Sequence, residues 1–184
     1  MTNGPLALYL HIPFCTAKCG YCDFNSYAGH EHLIPSYSQA LLTEASLWQR
    51  TATGRSVTSV FFGGGTPSLT PAPEMRAILD GLRGMFTIEP DAEVSLEANP
   101  GSLSVEYLRE LRDIGFNRLS VGVQSFDDAE LKSLDRIHTA DDARAAMAAA
   151  RGAGFDNVNL DLIYGLPGQP LERWQSNLEQ AIAL

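Results

Sequence analysis

The sequence predicts an α/β protein whose parallel sheet curves into an incomplete barrel around a ligand cavity. Three observations carry this. Short β-rich runs alternate with longer amphipathic stretches, the order that builds a parallel sheet with right-handed crossovers. The β-rich runs are apolar on one parity and polar or small on the other, unlike strands buried on both faces. Finally, the chemically unusual residues collect just after those runs, at the carboxyl ends where parallel α/β folds bind ligands.

The first strand is "LALYLHI" (6–12), where Leu8, Leu10 and Ile12 alternate with Tyr9 and His11. After the loop that follows it, Tyr37, Leu41, Ala45 and Trp48 share one face of a helix, with Ser36 as its cap. The second strand is "SVTSVFF" (56–62), followed by "GGGTPS" and a helix with Met75, Ile78, Leu79 and Leu82 on one face. The third, "AEVSLEA" (92–98), sets Val94 and Leu96 against Ser95 and Glu97, and Asn99-Pro100 ends it. The fourth, "RLSVGVQS" (118–125), sets Leu119, Val121 and Val123 against Ser120, Gly122 and Gln124. Thr139 with Asp142 resembles a capping box before "ARAAMAAAR". The fifth strand, "NVNLDLIY" (157–164), sets Val158, Leu160 and Leu162 against Asn157, Asn159 and Asp161. Gly115-Phe116-Asn117 and Gly154-Phe155-Asp156 are repeated junctions, each stopping a helix and launching a strand. A closed barrel fills its interior with bulky side chains, so a polar inner parity implies a wider or incomplete one.

At 184 residues, with 45% hydrophobic and 19% charged, the chain suits one globular domain, 1–184. A net charge of −9 argues against a nucleic-acid partner, which needs basic surface. No run reaches the length of a membrane span, and "MTNGPLALYLHIP" lacks the basic start of a signal peptide.

All three cysteines, Cys15, Cys19 and Cys22, fall in "HIPFCTAKCGYCDF". Their spacing fits one helix face, but Pro13 and Gly20 argue against a helix there. An odd, small number excludes a disulfide framework. Clustered thiols outside a disulfide setting point to the cytoplasm. Two metal readings remain. Three thiols with His11 make a tetrahedral zinc site, although structural zinc usually takes two separated ligand pairs. A cubane iron–sulfur cluster fits a compact loop better, and three thiolates leave its fourth iron open to a small molecule. An amino-acid-like ligand could chelate that iron through its amino and carboxylate groups. The backbone at Gly64-Gly65 could accept a bond from the amino group, and Glu97 and Asp161 could accept from ribose hydroxyls. Gln124 and Arg136 could hold polar or anionic parts, and Tyr21 offers an aromatic wall.

C-x-x-x-C-x-x-C followed by Gly-Gly-Gly-Thr-Pro resembles the radical S-adenosylmethionine superfamily. Nearly the whole chain, through "LYLHIPFCTAKCGYCDF", "FFGGGTPS", "LEANP", "RLSVGVQSF", "LDRIHT" and "NLDLIYGLPGQ", resembles the oxygen-independent coproporphyrinogen III oxidase family. That resemblance implies a [4Fe–4S] cluster on Cys15, Cys19 and Cys22. It places S-adenosylmethionine against Tyr9, Tyr21, Gly64, Gly65, Thr66, Glu97, Gln124, Arg136 and Asp161, with Thr66 known only this way. It also implies a partial (β/α)6 barrel, of which five βα units are visible. The sixth strand and a carboxyl-terminal domain are expected beyond "LERWQSNLEQAIAL", so the chain reads as an amino-terminal piece. True oxidases of the family carry a fourth cysteine two residues after the third, where this chain has Phe24, and a longer segment before the loop. Both departures resemble the family's haem-chaperone branch. That branch implies haem or porphyrin as ligand, a haem-accepting protein and an electron donor as partners, and no catalytic residue. The alternative is oxidative decarboxylation of coproporphyrinogen III.

Overall fold

The computed structural model describes residues 4–184. The reading of the amino terminus as lacking a signal-peptide start falls partly on residues 1–3, outside the described residues.

The chain opens with β1 (Leu6–Ile12), whose bounds match the sequence reading. Two very short strands, β2 (Phe14–Cys15) and β3 (Tyr27–Ala28), pair in parallel and pinch the base of the thiol loop between them. Helix α1 (Ile34–Trp48) follows, then β4 (Ser56–Gly64) and α2 (Ala72–Met85). Next come β5 (Thr87–Ala98), α3 (Val105–Ile114) and β6 (Arg118–Gln124). The chain continues through α4 (Asp128–Ser133), α5 (Ala140–Gly152), β7 (Asn157–Leu162) and α6 (Leu171–Ile182). Five strands form one all-parallel sheet in the order β1-β4-β5-β6-β7, the staves of the expected partial barrel. Among the described residues, no helix is long and apolar enough to cross a membrane.

The apolar parity does the packing. Val60 and Phe62 of β4, Leu96 of β5 and Leu119 and Val121 of β6 are fully buried. They share one core with Met75, Ile78 and Leu79 of α2 and Leu108 and Leu111 of α3. Each such side chain contributes about 1.5–3 kcal/mol when removed from water. Helices α1, α2, α3 and α5 stand side by side on this face, leaving the polar parity to the other side of the sheet.

The repeated junctions behave alike. Gly115 and Gly154 adopt φ of 115° and 86°, the left-handed region that ends helices cheaply only at glycine. Phe116 and Phe155 then plunge into the core, and Arg112 and Arg151 each donate an Nη1–H to the phenylalanine carbonyl at 3.0 Å. The capping box at Thr139 and Asp142 forms as expected.

Three local readings need correction. Ser36 is not the cap of α1, which starts at Ile34; its hydroxyl donates to the Leu33 carbonyl at 2.9 Å instead. Pro35 lies in the first turn of α1, where a missing N–H costs nothing, so the helix starts ahead of the serine. Trp48 is 59% exposed, because α1 ends there and its last turn overshoots the core. Strand β5 starts five residues earlier than the reading from 92, at Thr87. Ile88 pairs with Val57 and Glu93 with Ser59, so residues 89–92, including Pro90, bulge against Thr58. A bulge is where a strand tolerates proline.

Helix α6 is fastened through one buried side chain. Asn177 Oδ1 accepts from the Phe126 N–H at 2.6 Å, and the Ser125 hydroxyl beside it donates to Glu130 Oε2 at 2.5 Å. Asn177 Nδ2 donates to Glu130 Oε2 at 3.1 Å, while Gln169 donates to the other Glu130 oxygen at 3.0 Å. Arg173 pairs with Asp127 beside them. Every member of this network has a partner, as a buried polar cluster requires. It holds the turn directly after Gln124, at the carboxyl end of β6.

Candidate cofactor site at the strand ends

The thiol loop folds over the carboxyl ends of the strands and encloses a cavity of about 530 Å³. That volume suits a nucleoside-sized ligand. Cys15, Cys19 and Cys22 all line it, as do Tyr21, Gly65, Thr66, Glu97, Gln124, Arg136 and Asp161. Five βα units thus contribute to one wall. Tyr9 and Gly64 do not line it. Tyr9 lies further back on the polar face, where it and Glu97 Oε2 both crowd Gly63. Gly64 lies behind Glu97, giving its N–H to Oε2 at 2.9 Å.

The loop is anchored from below. Gly65 N–H donates to the Ile12 carbonyl at 2.8 Å and Thr66 N–H to that of Phe14 at 2.7 Å. His11 Nε2 donates to the Asn25 carbonyl at 2.8 Å, which leaves Nδ1 to accept from the Tyr9 hydroxyl at 3.0 Å. A carbonyl can only accept, so the tautomer follows. Both His11 nitrogens are therefore engaged, and His11 serves as a loop fastener and not as a fourth zinc ligand. Its ring also fills the space a side chain at Gly64 would need: a Cβ there would lie 2.6 Å from Cε1, at a φ of 118°.

The three thiols are free, and two have hydrogen-bond donors beside them. Thr66 Oγ1 lies 3.5 Å from Cys15 Sγ, and Arg136 Nη1 lies 3.8 Å from Cys19 Sγ. Among the described residues, no three Cys, His, Asp or Glu side chains converge on one point as a single ion would require. Thiolates that hold separate corners of a cube need not converge. The donor set, three free thiols on one short loop, fits a cluster that three thiolates can hold.

The acidic side of the cavity is organised too. Burial holds the Glu97 carboxyl above the ordinary carboxylate value; the Gly64 hydrogen bond pulls the other way, and nearby Asp161 adds like charge. Two carboxylates on one half-buried wall are costly unless a ligand brings donors to them. Asp161 is held by Ser120 Oγ at 3.0 Å and Asn159 Nδ2 at 2.7 Å. Gln124 takes a φ of 66°, in the left-handed region that non-glycine residues seldom enter. Its amide turns back over Gly122, where a Cβ would lie 2.9 Å from Nε2. The sequence reading set Ser120 on the polar parity but gave it no place at the site, where it lines the cavity and donates to Asp161.

A parallel α/β half-barrel with a thiol-lined cavity beyond its strand ends places the chain in the barrel class, with its cavity at the rim where such folds bind ligands. The family model of the "Radical SAM superfamily" matches residues 9–181, and the chain belongs to that superfamily. A [4Fe–4S] cluster and S-adenosylmethionine are the cofactors this membership implies. The chain is 46% identical over 181 residues to "Heme chaperone HemW" of Escherichia coli, covering 98% of this chain and 48% of that protein. It is 42% identical over 176 residues to "Radical S-adenosyl methionine domain-containing protein 1, mitochondrial" of Mus musculus, covering 96% of this chain and 40% of that one. It superposes on the Escherichia coli coproporphyrinogen III oxidase HemN, described as a radical SAM enzyme, with a TM-score of 0.91 and 35% identity. That match covers 98% of this chain and 42% of the other. The chain thus spans about half the length of the curated relatives it matches.

Proposed function

We propose that the chain belongs to a haem chaperone that binds a [4Fe–4S] cluster and S-adenosylmethionine and passes haem to acceptor proteins. The observation that carries this is Phe24. It lies two residues after Cys22, lines the cavity and is 62% exposed, at the position where the resemblance expects a fourth cysteine in a true oxidase. Similarity to proteins named haem chaperones supports the same reading.

In this proposal Cys15, Cys19 and Cys22 hold the cluster, which when bound supplies one-electron chemistry and an iron open to a ligand's amino and carboxylate groups. The residues around it bind and orient S-adenosylmethionine. Gly65 lets the Ile12–Phe14 backbone that carries Cys15 pack close beneath the cavity, Glu97 and Asp161 accept from amino and hydroxyl groups, and Gln124 and Arg136 take polar or anionic parts. Tyr21 walls the aromatic side. Thr66 supports Cys15, Gly64 supports Glu97 through its N–H, and Tyr9 holds His11 beneath the loop. Haem or porphyrin, a haem-accepting protein and an electron donor complete the partner set, in the cytoplasm.

Superposition on HemN keeps a second reading in play, oxidative decarboxylation of coproporphyrinogen III. Anaerobic incubation of the full-length reconstituted protein with coproporphyrinogen III and a reductant separates the two. The chaperone reading expects no product, and haem transfer to an apo-acceptor in a parallel assay. Protoporphyrinogen IX at steady turnover would overturn it.

Glu97→Gln is expected to leave the cluster intact and weaken S-adenosylmethionine binding. Glutamine keeps an acceptor for the Gly64 N–H but removes the charge. Loss of a charge-assisted bond, about 1.5–3 kcal/mol, lowers affinity roughly tenfold to a hundredfold. Titration followed by the cluster's spectrum measures it. Unchanged affinity with lowered stability would reduce Glu97 to a strand-pairing role.

A further inference from the structure

We propose that His138 is a positioning residue that aims the Arg136 guanidinium at the thiol loop. The inference rests on the reading of Arg136 as a cofactor contact and goes beyond it, since His138 lies outside the cavity wall.

His138 is 3% exposed, two residues beyond Arg136. Its Nε2 lies 3.0 Å from the Val123 carbonyl, which can only accept, so Nε2 carries the proton. Nδ1 is then a bare acceptor, and Arg136 Nε donates to it at 3.3 Å. Burial, with the Arg136 charge beside it, pushes His138 down to about 4, so the ring is neutral at pH 7. That state is the one the geometry needs, because an imidazolium would meet Arg136 with a donor and a like charge.

The remaining guanidinium edges point toward the site. Nη2 donates to the Gly122 carbonyl at 2.7 Å, and Nη1 points at Cys19 Sγ from 3.8 Å. A guanidinium is a planar fork, so fixing Nε and Nη2 leaves Nη1 one direction. The turn before it is strained into place: Asp135 has a φ of 54°, and its carboxylate packs where Gly20 of the thiol loop has no side chain. A Cβ on Gly20 would stand 2.6 Å from Asp135 Oδ2. Residues 135–138 thus form a clamp between the β6 end and the thiol loop, with His138 as its buried pivot.

A double-mutant cycle on the full-length, anaerobically reconstituted protein tests this, reading S-adenosylmethionine affinity, iron and sulfide content, and the unfolding midpoint. His138→Phe keeps an aromatic ring but no acceptor. It is expected to keep the cluster and weaken binding roughly tenfold, the loss of one bond to a charged group. His138→Gln supplies both an acceptor and a donor and is expected to restore most of the affinity. In an Arg136→Ala background, His138→Phe is expected to cost no further affinity, while still lowering the unfolding midpoint through loss of the buried Val123 bond. Equal losses of affinity with and without Arg136, or His138→Gln as weak as His138→Phe, would overturn the positioning role. Wild-type affinity in Arg136→Ala would instead remove Arg136 itself from the cofactor site, and the positioning role with it.

Discussion

Cys19→Ala is expected to yield a folded protein that holds no stable cluster. Cys19 lies in the loop, half-buried, with its carbonyl accepting from the Cys22 N–H at 3.1 Å. Alanine keeps that backbone bond, so the turn has no reason to open. The core lies on the opposite face of the sheet, under α2 and α3, and does not see the change. Stability should therefore stay within about 0.5 kcal/mol of the wild-type apoprotein, as for surface substitutions. The cluster is a different matter: two thiolates cannot hold three corners of a cube. Iron and sulfide analysis after anaerobic reconstitution, with the visible absorption band, measures the loss. Wild-type absorption in this variant would end the assignment of Cys19 as a ligand.

Gly65→Ala is expected to damage both the fold and the site. A Cβ there would meet only backbone: the Phe14 carbonyl oxygen at 2.7 Å, the Pro13 carbonyl carbon at 2.9 Å and the Ile12 oxygen at 3.0 Å. A flexible side chain could move aside, but this segment is tied to Gly65 and Thr66 by two hydrogen bonds. It also carries Cys15. Overpacking of this kind costs about 1–3 kcal/mol, a fall of roughly 2–12 °C in unfolding midpoint for a chain of this size. Gly84→Ala is the control. Nothing lies within 4 Å of a Cβ there, and it sits in α2, so alanine should stabilise by about 0.5–1 kcal/mol. Thermal unfolding of the pair should show opposite signs. Equal midpoints would mean that the thiol loop does not bear on Gly65.

The parts of this molecule legible in its sequence were those set by local chemistry. The bounds of β1, the buried face of α2, the Thr139 capping box and the paired glycine stops each depend on residues a few positions apart. The thiol loop and most of the cavity wall were legible too, because polar residues recur at the carboxyl ends of successive strands. Most of what escaped notice depends on distant partners, Ser36 being the local exception. Ser36 looks like a cap until Pro35 is seen to start the helix before it. Asn177 reads as an ordinary helix residue, and only the fold brings it to Phe126 and Ser125. His138 stands in the quoted "LDRIHT", yet its acceptor role needs the Val123 carbonyl of β6 to set its tautomer. Tyr9 and Gly64 lie on strands whose following loops line the cavity, but Gly64 sits behind Glu97 and Tyr9 lies deeper on the sheet.

The central claim is that three thiolates leave one iron of the cluster open for S-adenosylmethionine. Mössbauer spectroscopy of the full-length protein reconstituted with iron-57, with and without S-adenosylmethionine, tests it most directly. One iron of the four should change its isomer shift on addition of the ligand while the other three stay fixed. Four irons that respond alike or not at all, or a preparation that binds zinc in place of iron and sulfide, would contradict it.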